Sequence, residues 1–498
     1  MSDLGVTPLA RLRSPTGVAL IVATVLASGV ASYDAYVVNV AIPAIGSDLG
    51  AGVTALQWTL TSYLLTVGGL LLLAGALADR FGRRRILVSG LILMFVASIL
   101  CAVAPSTGAL IGARVVQGVG AALVVPTSLA LLNGTLQPTD RARAIGIWAG
   151  LSTLATTVGP YVGGWLVDVA SWRWVFLLNL PLILGALLAL QRVPENRDQR
   201  RALSLDVAGG LLAVLGLGGV TYALTAGPMS GWGSAPVIVS AIVGVGSFVA
   251  LVPVERRIRA PMLRLSLFES RQFVAINVTT LLFYGALSAA GYVLVLQFEL
   301  RLGYSAAQAG AALIPASIVF LALSPISGSL VSRLGPRWLM VSGILLVAVS
   351  YVWLAQADPG SSYVEAVLPP ALLRGVGLGL LVTPLTAAVL AAVRDEDLGE
   401  ASAVNDAASR VGGVIAVALV PVLIGASAGK DLEQAITNGY QRAMIVFGVV
   451  CVIAAAITAI FVSDDRATTA APRLAPAATD RGCALPVTDH VSHQEVAA

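Results

Sequence analysis

Fourteen apolar runs dominate the sequence, each close to the roughly 20 residues a helix needs to cross about 30 Å of hydrocarbon. In order they are Val18–Pro43, Leu56–Leu77, Ile86–Ala104, Gly108–Leu132, Ala144–Val167, Trp174–Leu190, Val207–Gly227, Pro236–Pro253, Phe273–Phe298, Ala307–Leu330, Trp338–Gln356, Val364–Val393, Ser402–Gly425 and Ala443–Val462. A soluble globule cannot hide that many runs from water, because too much of its chain stays at the surface. The composition agrees, with 57% of the 498 residues hydrophobic and only 11% charged. A lipid solvent is therefore expected, and with it an all-α integral membrane protein. Soluble enzyme, nucleic-acid binder and disordered chain are excluded as readings.

Charge sets the expected orientation, since loops on the cytoplasmic side retain Arg and Lys. With the N-terminus placed in the cytoplasm, twenty arginines fall on the inner side and four basic residues, Arg173, Arg301, Lys430 and Arg442, on the outer. An even span number puts both termini inside. The first span is long and no cleavage site follows it, so it reads as an anchor and not a signal peptide. Residues 1–17 read as a cytoplasmic tail, and 463–498, rich in Ala, Pro and Thr, as a disordered cytoplasmic tail.

Several chemistries lack their residues. Cys101 and Cys451 lie in apolar runs and Cys483 in the polar tail, with no CxxC spacing for a metal. Both histidines, His490 and His493, lie near the C-terminus, so any proton carrier in the membrane must be a carboxylate. Gly425-Ala-Ser-Ala-Gly429-Lys430-Asp431 is one residue too short for a P-loop and lacks the following Ser/Thr. No metal, nucleotide or other cofactor is expected.

The chain repeats itself. Gly75-Ala-Leu-Ala-Asp-Arg-Phe-Gly-Arg-Arg84 after the second span matches Gly328-Ser-Leu-Val-Ser-Arg-Leu-Gly-Pro-Arg337 after the tenth at five of ten positions. Arg114-Val-Val-Gln-Gly-Val-Gly120 in the fourth span echoes Arg374-Gly-Val-Gly377 in the twelfth. Two six-helix bundles, 18–190 and 273–462, are expected to flank two inserted transmembrane helices with their loops, 191–272. Such repeats mark transporters, with the substrate at the interface of the halves.

These residues resemble a known family. The loop 75–84 resembles the signature loop of the major facilitator superfamily. Gly159-Pro160-Tyr-Val-Gly163-Gly164 resembles the antiporter motif of its exporters. Asp34-Ala-Tyr-Val-Val-Asn39-Val-Ala-Ile-Pro43, Trp172-Arg-Trp-Val-Phe-Leu-Leu-Asn179-Leu-Pro181 and Leu205-Asp206-x-x-Gly209 are similar to the fourteen-span drug:proton antiporter branch, of the QacA/EmrB type. The resemblance implies a proton-coupled exporter of amphipathic drugs or antibiotics in the bacterial inner membrane. Its drive is the proton motive force, and its partners are the lipid bilayer, protons and a small amphipathic substrate, with no nucleic acid, no ATP and a monomeric state. Other readings remain open: a dedicated exporter of one metabolite, lipid or self-made antibiotic, an importer, or a non-transporting receptor.

Individual residues sharpen this expectation. Asp34 lies nine residues before Pro43, about 13 Å from one helix end, and an intramembrane carboxylate is by default functional. Arg114 lies about 9 Å deep at that same end, so the two share a depth to within about a helical turn. They are the expected proton-coupling residues; the plainer reading of Arg114 is helix packing. Gly75, Asp79, Arg80, Gly82, Arg83 and Arg84 are implied by the resemblance to form a conformational latch; positive-inside anchoring is the plainer reading. Gly159, Pro160, Gly163 and Gly164 suit either a pliable helix or ordinary close packing. Tyr36, Asn39, Gln117, Trp148, Tyr161, Tyr284, Tyr292 and Asn405 are candidates for the cavity lining, and Trp172 and Trp174 for interface anchors. No second acid is evident deep in a span.

Overall fold

The structure is a computed structural model and describes residues 9–195, 206–258, 265–394, 397–426 and 432–464. The C-terminal tail beyond 464, the Lys430 segment and the loop arginines Arg197, Arg200, Arg201, Arg259 and Arg264 lie outside the described residues. In hydrocarbon each backbone N–H and C=O must find a partner within its own segment, so helices are the available solution. The helices are α1 (Pro15–Val37), α2 (Ile42–Leu49), α3 (Val53–Phe81), α4 (Arg83–Ala102), α5 (Thr107–Thr135), α6 (Pro138–Val169), α7 (Arg173–Leu177) and α8 (Asn179–Leu190). Next come α9 (Val207–Ser230) and α10 (Ala235–Arg257). The remainder are α11 (Arg271–Leu296), α12 (Ala306–Ala311), α13 (Ile314–Leu334), α14 (Pro336–Leu354), α15 (Leu368–Ala391), α16 (Leu398–Ala418), α17 (Val420–Ile424) and α18 (Leu432–Phe461).

Local chemistry marks the ends. Ser14, Ser106 and Ser270 accept hydrogen bonds from the N–H groups of Gly17, Ala109 and Phe273, capping α1, α5 and α11. Gly82 and Gly335, the paired glycines of the two loop copies, sit at φ 107° and 78°, where a side chain is strained. Each lets a span end and the next begin within one residue.

Among the described residues twelve helical stretches are long and apolar enough to cross a membrane, and the pair Val53–Leu71 and Leu73–Phe81, bent by 54°, makes a thirteenth. The expected run Ala144–Val167 does not reach the same apolarity. It lies in α6, whose 32 residues, about 48 Å, are long enough to span, but which carries Thr156, Thr157 and Pro160 on the cavity wall and Gly159, Gly163 and Gly164 against neighbouring main chain and side chains. The count of fourteen thus rests on α6. The last span starts at Leu432 rather than Ala443, because Ala435, Ile436 and Tyr440 are buried and extend the helix. Val239, Ile242, Val245 and Val249 of α10 are more than half exposed, which water would penalise and lipid does not.

Helix packing repeats as the loop motifs do. α3 and α4 pack on α5, and α13 and α14 on α15. α4 meets α5 at Gly90 and Gly120, where a Cβ on either would stand 2.9 or 2.8 Å from the other's carbonyl oxygen. α14 meets α15 at Gly343 and Gly377 in the same way, at 2.6 Å each. This aligns Gly120 with Gly377, so Arg374 stands where Gln117 does and not where Arg114 does; the sequence echo was three residues out of register. α9 and α10 pack on each other, and α9 touches α3 and α16.

Candidate functional site

α1, α4, α5 and α8 converge on one buried polar cluster. Asp34 and Arg114 are both fully buried, and Arg114 Nη1 donates to Asp34 Oδ2 in a direct ion pair. The other carboxylate oxygen, Oδ1, accepts from Gln117 Nε2 at 3.0 Å and from Asn179 Nδ2 at 2.9 Å. Both amides also donate to Ser98 Oγ, at 3.0 and 3.2 Å. Arg114 donates further to Thr59 O at 3.1 Å and Gln117 Oε1 at 2.8 Å, and its guanidinium lies 4.2 Å over the Tyr63 ring. Three residues separate Arg114 from Gln117, which puts them on one face of α5. The acid's charge is met by three donors from two helices. In hydrocarbon nothing else would meet it.

The sequence reading placed Asp34 and Arg114 at one depth, and the structure brings them into contact. Gln117 joins them rather than lining a cavity. Asn179 and Ser98 were missed; Asn179 carried a signal, since an amide inside an apolar run is unusual. Ser98 carried none, because a serine satisfies itself on its own helix as readily as it bridges two.

The arginine loop is tied within its own set of helices. Asp79 accepts from Arg83 at 2.9 and 3.1 Å, and Arg83 reaches Ala130 O on α5 at 3.2 Å. Glu195, unnamed in the sequence reading, accepts from the N–H groups of Arg84 and Arg85 at the start of α4, where a carboxylate is favoured. A Cβ at Gly82 would stand 2.7 Å from that carboxylate. Arg84 Nε donates to Leu190 O at 2.9 Å, and Arg80 lies over Phe81. A Cβ at Gly75 would meet open space.

At the opposite end the two sets of helices press together. Side chains at Gly159 and Gly163 would strike Tyr33 and Val37 of α1, and one at Gly164 the main chain of Ala306. Gly310 answers against the main chain of Pro160. Asp168 accepts from Ala306 N at 3.1 Å and Ala307 N at 2.9 Å, and Gln57 donates to Val417 O. Asp168→Ala is expected to weaken this closure by about 1 kcal/mol, at the lower end for bonds to an exposed charge. Spin-label distances across this end should broaden toward longer values; an unchanged distribution would show that glycine packing alone holds it shut.

Two cavities lie inside this closure. One, about 230 Å³, runs between α1, α6, α11, α13 and α15 and is lined by Tyr36, Asn39, Pro160, Ser317, Arg374 and Leu378 among others. The other, about 190 Å³, is lined by Tyr284, Thr386, Ser402, Asn405, Asp406 and Ser409. Tyr36, Asn39, Tyr284 and Asn405 thus line cavities. Tyr292 is buried and lines neither; Tyr161 is exposed; Trp148 spends its indole N–H on Ser28 at 3.0 Å. Trp172 is buried with its N–H on Asp48, so it is no interface anchor, while Trp174 is exposed. No second acid is evident deep in a span from the sequence; Asp406, six residues into the stretch Glu400–Ile424, lines the second cavity and accepts from Arg410 at 3.1 Å on α16.

The model of the Major Facilitator Superfamily matches residues 24–261 and 276–490. The chain belongs to the major facilitator superfamily. It is 35% identical over 425 residues to the puromycin resistance protein pur8 of Streptomyces alboniger, covering 84% of this chain and 83% of that one. It is 36% identical over 436 residues to the multidrug resistance protein Stp of Mycobacterium tuberculosis, covering 84% and 79%. The methylenomycin A resistance protein of Streptomyces coelicolor is 32% identical over 427 residues, covering 85% and 89%. Among solved structures, peptide transporter POT in complex with sulfate superposes with a TM-score of 0.68 at 15% identity, over 90% of this chain and 95% of that one. That likeness concerns the fold. The protein is a multi-pass membrane transporter of the superfamily and not an enzyme.

Proposed function

We propose that this protein exports amphipathic drugs or antibiotics across the bacterial inner membrane by alternating access, in exchange for protons. The relatives named for resistance support the export of toxic compounds. Proton coupling is supported by one observation: Asp34, ion-paired in a buried site with Arg114 of α5, sits on α1 two residues before Tyr36, which lines the cavity. With Asp34 charged, Arg114, Gln117 and Asn179 tie α1 to α5 and α8. A proton on Asp34 removes that charge and frees α1 to move, and with it the cavity wall and the α6 glycine contacts.

In this reading residues 18–190 and 273–462 are the two bundles, 191–272 the inserted pair, and the arginine-rich end and both termini are cytoplasmic. The protein works as a monomer with no cofactor and no ATP. A proton crossing 100 mV and one pH unit releases about 3.7 kcal/mol.

A panel of unrelated dyes and antibiotics in inverted vesicles tests this. Proton-driven accumulation of several, abolished when the gradient is collapsed, is expected; accumulation that survives collapse would remove the coupling. The names of pur8 and the methylenomycin A relative favour a second reading, export of one antibiotic, which movement of a single panel member would support.

A further inference from the structure

The two α4/α5-type helix pairs differ in charge balance at matching places: the first is neutral and the second carries an unmatched positive charge. In the first, Gln117 and Ser98 meet the carboxylate of Asp34, and Arg114 is neutralised by it. In the second, the glycine register puts Arg374 in the place of Gln117 and Tyr351 in the place of Ser98. Arg374 and Tyr351 lie against each other as their counterparts do. The counterpart of Asp34 is missing. Arg374 is only 9% exposed, its Nε has no hydrogen-bond partner, and no carboxylate pairs with it among the described residues.

A buried guanidinium without a counter-charge is expensive, and such groups mark binding sites. Arg374 lines the 230 Å³ cavity between the two sets of helices. Arg374 is the charged residue among those that line this cavity, and the other two charges that act on Tyr36 of its wall, Arg410 and Asp406, pair with each other at 3.1 Å. The cavity wall therefore carries one net positive charge. Around it stand apolar and weakly polar groups, Tyr36, Leu313, Leu378 and Ser317.

We propose that this cavity takes an amphipathic molecule bearing an acidic group, a carboxylate, sulfonate or phosphate, which pairs with Arg374 while the apolar body lies against Tyr36, Leu313 and Leu378. This deepens the export reading and rests on it only for the direction of travel. The guanidinium's planar donor fork suits a two-oxygen anion. Permanently cationic molecules meet a like charge there and are poor ligands.

The test uses the full chain in lipid nanodiscs and two probes of one shape, dansylglycine and its uncharged amide, with empty nanodiscs as the blank. The acid is expected to bind at least about tenfold tighter than the amide, as a charge-assisted pair supplies. Arg374→Gln should bring the acid down to the amide's affinity and leave the amide unchanged, and Arg374→Lys should keep much of the preference. Equal binding of the two probes to the unaltered chain, or an acid preference that survives Arg374→Gln, overturns the proposal. Dansylglycine uptake into inverted vesicles is read in parallel. Acid preference without proton-driven uptake supports this site and sinks the export reading. Proton-driven uptake of a cationic dye without acid preference keeps the export reading and sinks this site.

Discussion

Asp34→Asn is expected to abolish uphill export while leaving downhill movement of substrate intact. The size follows from the gradient. At 100 mV and one pH unit, a proton carried by Asp34 in the proposed exchange would be worth about 3.7 kcal/mol, a few-hundredfold in the substrate ratio that can be sustained. Asparagine keeps the shape and can still hydrogen-bond Gln117 and Asn179, but it cannot cycle between charged and neutral forms. Preloaded inverted vesicles give the readout: substrate-driven exchange persists and proton-driven accumulation disappears. Uphill accumulation at the unaltered level in the variant would take Asp34 out of the coupling. Asp34→Glu, which keeps the charge on a longer arm, should retain part of the activity.

Arg114→Ala should be the most destabilising change in the first set of helices. It strands the Asp34 carboxylate at a position fully shut off from solvent, and breaking a buried pair by removing one partner costs about 3–5 kcal/mol. It also opens a void beside Tyr63 and frees the Thr59 carbonyl that the guanidinium now satisfies. The double variant Asp34→Asn/Arg114→Ala should recover part of the loss, because no bare charge is left behind. Thermal unfolding of the four proteins in one detergent measures the coupling. Strictly additive losses would mean that the pair contributes nothing beyond its separate packing terms.

Particular residues show how far a one-dimensional reading reaches. The depth of Asp34 and Arg114 followed from counting residues along two helices, because rise per residue is constant. Their contact did not follow, since counting gives height and not azimuth. Glu195 is separated along the chain by four spans from the loop it caps, and nothing in its surroundings announces a helix start 111 residues earlier. Asp406 escaped notice because it sits near the edge of its apolar run, where an acid is unremarkable. Arg374 was seen but placed in the wrong register, since two short Gly-rich strings can be aligned on their arginines or on their glycines.

Membrane residence, the helical class and the twofold repetition were decided by the order of residues alone, because hydrocarbon tolerates only self-satisfied segments of a minimum apolar length. Which buried polar groups meet was decided by tertiary packing. The Gly90–Gly120 and Gly343–Gly377 contacts set how far each helix slides and turns against its neighbour. That placement neutralises Arg114 and leaves Arg374 facing the cavity with its charge unmatched, a difference that no spacing along the chain encodes.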